Sequence, residues 1–144
     1  MRAWLYDLLS GDAQLQGLVN ATPEEWADRV MPRQSQTTFN IDKPFLVFGM
    51  GNNTNEALAE DQDHTAHRQF FSIWVHDEGG DYDLIERILI RVKQLLVNAS
   101  HPASHVSTVM WLETSQEFVN DTYNTIFKYA RFQAIISNGV GVVS

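Results

Sequence analysis

Cysteine is absent from the 144 residues, which removes disulfides, a thiolate nucleophile and Cys-ligated zinc together. The absence also fits a reducing compartment. Positive charge is scarce: Lys and Arg number 10 against 18 Asp and Glu, for a formal net charge of −8. Wrapping nucleic acid needs a basic face that neutralises phosphate, and this composition does not favour one. No run approaches the roughly 18 apolar residues of a membrane span. The start, Met1-Arg2-Ala3-Trp4-Leu5-Tyr6-Asp7, has one basic residue and leads into no signal-peptide core. The expectation is a protein made and kept in the cytosol, or assembled into something larger there, with no membrane partner. Asn-X-Ser/Thr triplets such as Asn20-Ala21-Thr22 carry no meaning as glycosylation sites in that setting. Repeats, low-complexity tracts and linker-like stretches are missing too, so residues 1–144 read as one domain.

What is present is core material: 44% of residues are hydrophobic and 11% aromatic, enough for a full-sized interior. Leu5, Leu8, Leu9, Leu15, Leu18 and Val19 recur at helical spacing, interrupted at Ser10-Gly11-Asp12, where Ser10 or Asp12 can recap a second short helix. Thr22-Pro23-Glu24-Glu25 has the residues of a capping box, for a helix kept short by Pro32. Residues 32–43 are polar and read as a loop. Phe45-Leu46-Val47-Phe48 reads as a strand that ends at Gly49-Met50-Gly51, taken as a turn. Residues 67–76 alternate, with Phe71, Ile73 and Val75 on one face and Arg68, Phe70, Ser72, Trp74 and His76 on the other. Residues 84–97, capped by Asp81 or Asp83, form the clearest helix. Residues 107–119 and 123–136 read as a long hairpin, whose second strand turns Phe127, Tyr129, Arg131 and Gln133 away from Phe132 and Ala134. The expected fold is α+β, a mainly antiparallel sheet of about four strands with two main helices on one face. Its order is helix-strand-strand-helix-strand-strand.

Several of these strands carry large apolar groups on both faces. Two helices cover one face, so the other, with Phe70, Trp74 and Tyr129, is expected to need a neighbour. The polar loops 32–43 and 51–66 are poor covers for such rings, which favours self-association. Charge is equally uneven. Residues 42–86 hold ten acids and two bases, Lys43 and Arg68, a local excess equal to the whole chain's −8. Glu56, Glu60, Asp61 and Asp63 lie in the segment between two strands, as a solvated loop or as an acidic rim that repels phosphate or meets a basic partner.

Catalytic signatures are weak. Gly49-Met50-Gly51 lacks the third glycine of a dinucleotide fingerprint, and no Walker A, Gly-x-Ser-x-Gly or His-Glu-x-x-His pattern occurs. His64 and His67 beside Asp61 and Asp63 could hold a divalent metal in principle but are better read as solvated loop residues, and His76-Asp77-Glu78 at a strand end lacks the second half of a metal site, since no other His-Asp pair occurs. His101 and His105 are four apart, yet Pro102 argues against a helix there. No cofactor, metal or catalytic residue is expected.

The order of elements and certain words within it resemble a known family. Leu5-Tyr6-Asp7-Leu8-Leu9-Ser10-Gly11-Asp12-Ala13 leads to Leu18-Val19 and Asp28-Arg29-Val30-Met31-Pro32. Lys43-Pro44-Phe45-Leu46-Val47-Phe48, Phe71-Ser72-Ile73-Trp74-Val75-His76-Asp77 and Phe127-Lys128-Tyr129-Ala130-Arg131-Phe132-Gln133-Ala134 follow. This is similar to the tail-terminator, or tail-completion, proteins of long flexible-tailed bacteriophages. The stretch containing Thr22-Pro23-Glu24-Glu25-Trp26 is longer than in that pattern, and the 51–66 loop is distinctive. The resemblance implies a non-enzymatic virion part at the head-proximal end of the tail, assembled in the bacterial host cytoplasm. It implies a ring, a hexamer in that family, stacked on the major tail-tube protein, halting tube growth and offering a surface to head-completion or connector proteins. Genomic DNA would pass through without specific binding. Interface or lumen candidates are then Glu56, Glu60, Asp61, Asp63, Arg68, Phe70, Trp74, Tyr129 and Arg131. The competing classes are an acidic inhibitor or immunity-type protein that mimics DNA, and a small metal-dependent hydrolase using His64, His67, His76 and Asp77.

Overall fold

Leucines spaced for one buried stripe begin the chain. In the computed structural model, which describes residues 1–33, 42–56, 66–78, 82–121 and 124–137, helix α1 (Arg2–Ser10) buries Leu5 and Leu9. It stops at Gly11, where a Cβ would sit 2.9 Å from the Asp7 carbonyl oxygen. Asp12 then caps α2 (Ala13–Leu18), its carboxylate accepting from the Leu15 N–H at 3.0 Å. The capping box of α3 (Pro23–Arg29) forms in full. The Thr22 N–H donates to Glu25 Oε1 at 2.9 Å and the Glu25 N–H to Thr22 Oγ1 at 3.2 Å. Trp26, sealed from solvent, donates its indole N–H to the Leu9 carbonyl at 2.8 Å and so fastens α3 to α1.

Six strands form one sheet: β1 (Val30–Pro32), β2 (Phe45–Glu56), β3 (Ala66–Asp77), β4 (Val106–Thr114), β5 (Phe118–Asn120) and β6 (Thr125–Ser137). The spatial order is β1-β2-β3-β6-β4, with β5 also paired to β6. Only the β1–β2 pair is parallel. Helix α4 (Asp83–Leu96) supplies Ile85, Ile88, Leu89, Val92 and Leu96 to the interior. These meet Leu46, Phe48, Phe71, Ile73, Val75, Phe132 and Ala134, so the helices cover one sheet face in one continuous core. Phe71 and Phe132 stack across β3 and β6 with centroids 5.3 Å apart. Each such fully buried side chain contributes about 1.5–3 kcal/mol.

The α+β class and the mainly antiparallel sheet are as the sequence predicts, and the details differ in four places. The described residues contain six strands and four α-helices, in place of about four strands and two main helices. β1 occupies Val30–Pro32, within the segment expected to end a helix and enter a loop. Gly49-Met50-Gly51 is strand rather than turn: β2 runs through it, with a register shift between Met50 and Asn53. Helix α4 has Tyr82 at its N-cap and Asp83 as its first helical residue, with no side-chain cap bond. Asp83 still sits where the helix dipole favours an acid. Asp81 lies outside the described residues.

Candidate interaction surface

Alternation sends every second strand residue to the face opposite the helices. Cross-strand register aligns these into rows. Phe45, His76, Phe127 and Phe118 make one row across four strands, with ring centroids 4.7, 4.9 and 5.2 Å apart and near-parallel planes. Val47, Trp74 and Tyr129 make the next, Trp74 and Tyr129 tilted at 50° with centroids 6.3 Å apart. Phe118 and Tyr129 join the two rows at 6.1 Å.

His76 is a part of this aromatic stack. It is 5% exposed, and its Nδ1 lies 2.9 Å from Thr125 Oγ1. Burial lowers its pKa to about 4, because a charged imidazole here loses its water.

Guanidinium groups cover part of the same face. Arg33 lies 5.2 Å over the Trp74 ring and Arg131 5.9 Å from the Phe70 centroid. Arg131 also pairs with Glu113 at 3.3 Å. Glycine at position 49 makes room for this arrangement: a Cβ would meet Trp74 Cζ3 at 3.2 Å and Arg33 Cβ at 3.3 Å. Phe70, Trp74 and Tyr129 are therefore half-buried, with Arg68, on the same side of β3, half-buried beside them. The structure brings these five sequence-named residues onto one face. Glu56 closes β2, while Glu60, Asp61 and Asp63 lie outside the described residues.

The histidine clusters do not converge. His64 is outside the described residues. His67 and His76 occupy opposite faces of β3, separated by nine residues, or about 30 Å of strand, which is too far to share an ion. His101 stacks on Trp4 at 5.3 Å and contacts Ser104 Oγ at 2.8 Å. Among the described residues no group of three metal-ligating side chains gathers.

Among the described residues the most exposed apolar surface is elsewhere, at the outer margin of the sheet. Met110, Trp111, Leu112 and Val119 are 49, 40, 37 and 70% exposed, along β4 and β5. A register shift between Trp111 and Glu113 turns this stretch. Lys93 of α4 sits 3.5 Å from the Trp111 centroid, with Ile90, 58% exposed, one turn earlier on the helix. The sequence reading did not single these out. Their signal is the unbroken Met110-Trp111-Leu112 triplet.

No family model and no curated protein matches the chain. The fold does have a counterpart among solved structures. A chain from the virion of the native gene transfer agent (GTA) particle aligns with a TM-score of 0.65, covering 93% of this chain and 92% of that one, at 17% identity. At that identity the likeness is one of fold, and it extends nearly end to end in both directions.

Proposed function

We propose that this chain is a structural subunit of a phage-type virion. In this reading it caps the tail tube as a ring, ends tube polymerisation, and presents the tail-side surface for head joining. The observation that carries the reading is the end-to-end likeness of fold to a virion subunit, with almost nothing left over on either chain. The layered architecture supports it: helices screen one sheet face, while the other face and the β4 margin keep aromatic and apolar groups within reach of neighbours. Its partners would be copies of itself, a hexamer by the family resemblance, with the major tail-tube protein below and a head-completion or connector protein above. Glu56, Glu60, Asp61 and Asp63 would border the hole, where like charge lets DNA pass without being captured. The work is mechanical and needs no catalytic residue or cofactor.

Electron microscopy of tails assembled with and without the chain tests this. Overlong tubes lacking a terminal ring, and heads left unjoined, are the expected result of its removal. Tubes of normal length carrying heads would overturn the role. A subunit that stays monomeric or dimeric and instead blocks a basic protein would point to the acidic-inhibitor class.

A further inference from the structure

The sheet ends on two unlike edges. One is β4, continued by β5 beyond Ser115–Glu117 along the outer side of β6. Its first part is closed: the Asn98 N–H donates to the Val109 carbonyl at 2.9 Å, and His101 and Val106 exchange bonds of 2.9 and 3.1 Å. From Met110 to Thr114 no backbone group of the described residues reaches the outer side. Protein edges are ordinarily blunted by Lys or Pro. Between Val106 and Asn120 there is no Lys, Arg or Pro, and the charged residues are Glu113 and Glu117, with Asp121 just beyond. This edge is open, apolar and acidic.

The other edge is β1, three residues long, with no strand among the described residues on its outer side. Arg29 and Arg33 bracket it. Arg29 Nε is buried and has no hydrogen-bond partner among the described residues. This edge is basic.

We propose that the β4–β5 edge of one copy seats against the β1 edge of the next around the Met110–Leu112 patch, with Glu117, and Glu113 beside its Arg131 partner, meeting Arg29 and the exposed Arg33 that also covers Trp74. The proposal rests on the ring reading above and names the surfaces that would build the ring. Two different patches on each subunit make a heterologous contact, the kind that closes into a ring. Pairing β4 with β4 would form a closed dimer and set Glu113 and Glu117 against their own copies, a like-charge contact that costs stability.

The lack of native cysteine makes cross-linking unambiguous. In the full chain, Arg33→Cys and Leu112→Cys place thiols on the two edges at exposed positions. The double variant under mild oxidation should give a ladder of linked multimers. The mixed single variants should give one linked heterodimer, and Leu112→Cys alone none. A dominant Leu112→Cys homodimer overturns the proposal. Ring-sized species in native mass spectrometry without the cross-link overturn the edge pairing and leave the ring reading standing. A chain that stays monomeric at high concentration overturns both. Should either thiol variant misfold by circular dichroism, charge exchange serves. Glu117→Arg should weaken association at low salt by about tenfold or more, with recovery on mixing with Arg33→Glu. No loss, or no recovery, counts against the pairing.

Discussion

His76 lies between Phe45 and Phe127, its ring parallel to Phe45 within 4°. Its pKa of about 4, against 6.5 for the free side chain, follows from burial. Between those values the unfolded chain takes up a proton that the folded chain refuses. Stability therefore holds above pH 6.5 and falls as pH drops towards 4, by up to roughly 3 kcal/mol from this residue. His76→Asn keeps a polar atom near Nδ1 to meet Thr125 and removes the titration. Urea unfolding at pH 7 and pH 4.5 should show a smaller acid-induced loss for the variant than for the parent. Gly49→Ala is the second residue-scale prediction. The added methyl must displace Trp74 or Arg33 by a few tenths of an ångström, so a loss of about 1 kcal/mol and a shifted Trp emission are expected. Unchanged stability and emission would mean that the stack yields freely. Period-two alternation was enough to put Phe70, Trp74, Tyr129 and Arg131 on one face. That Arg33 would cover Trp74 was not legible, because cation–π partners from separate elements leave no spacing in the sequence.

Among the elements, α2 depends on one side chain. Asp12 accepts from the Leu15 N–H and holds Arg91 of α4 with both carboxylate oxygens, at 2.8 and 3.0 Å. The Arg91 bond is the first cause of its lowered pKa, ahead of the backbone bond from Leu15. Asp12→Ala removes cap and ion pair together and should cost about 2 kcal/mol. Asp12→Asn keeps a capping oxygen and should cost about half as much, because only the charged pair is lost. Equal losses in thermal melts would mean that the bridge to α4, and not the cap, carries the energy. Elements with a strong local signal were readable: the Thr22 capping box, the α4 stripe and the β3 alternation. β1 was not, since three residues carry no period and exist only through pairing with β2, and the strand expected over 107–119 divides at Ser115–Glu117 into β4 and β5, a break with no local signal. Gly49-Met50-Gly51 misled for a related reason. Glycine is a turn former locally, but here the glycine at 49 serves a ring on the neighbouring strand.

At the scale of the molecule, the sequence favoured association because one sheet face had more aromatic surface than its loops could cover. The structure shows that face half-covered by arginines, and shows the most open apolar groups on the β4–β5 margin. Edge character depends on strand order, which the residue pattern does not encode, so this part of the surface became visible only in three dimensions. A subunit that keeps such an edge must join a partner or risk uncontrolled pairing. Leu112→Lys places a long cation at the centre of the margin, where it can reach water in the free subunit. Folding stability should change by no more than about 0.5 kcal/mol, as for other exposed sites. Association should weaken by about tenfold to a hundredfold, the equivalent of leaving one leucine unburied with a charge in its place. Sedimentation equilibrium of parent and variant at equal concentration reads both states directly. A parent that associates and a variant that associates equally well would show that the contact lies elsewhere, on the aromatic face bearing Trp74 and Tyr129.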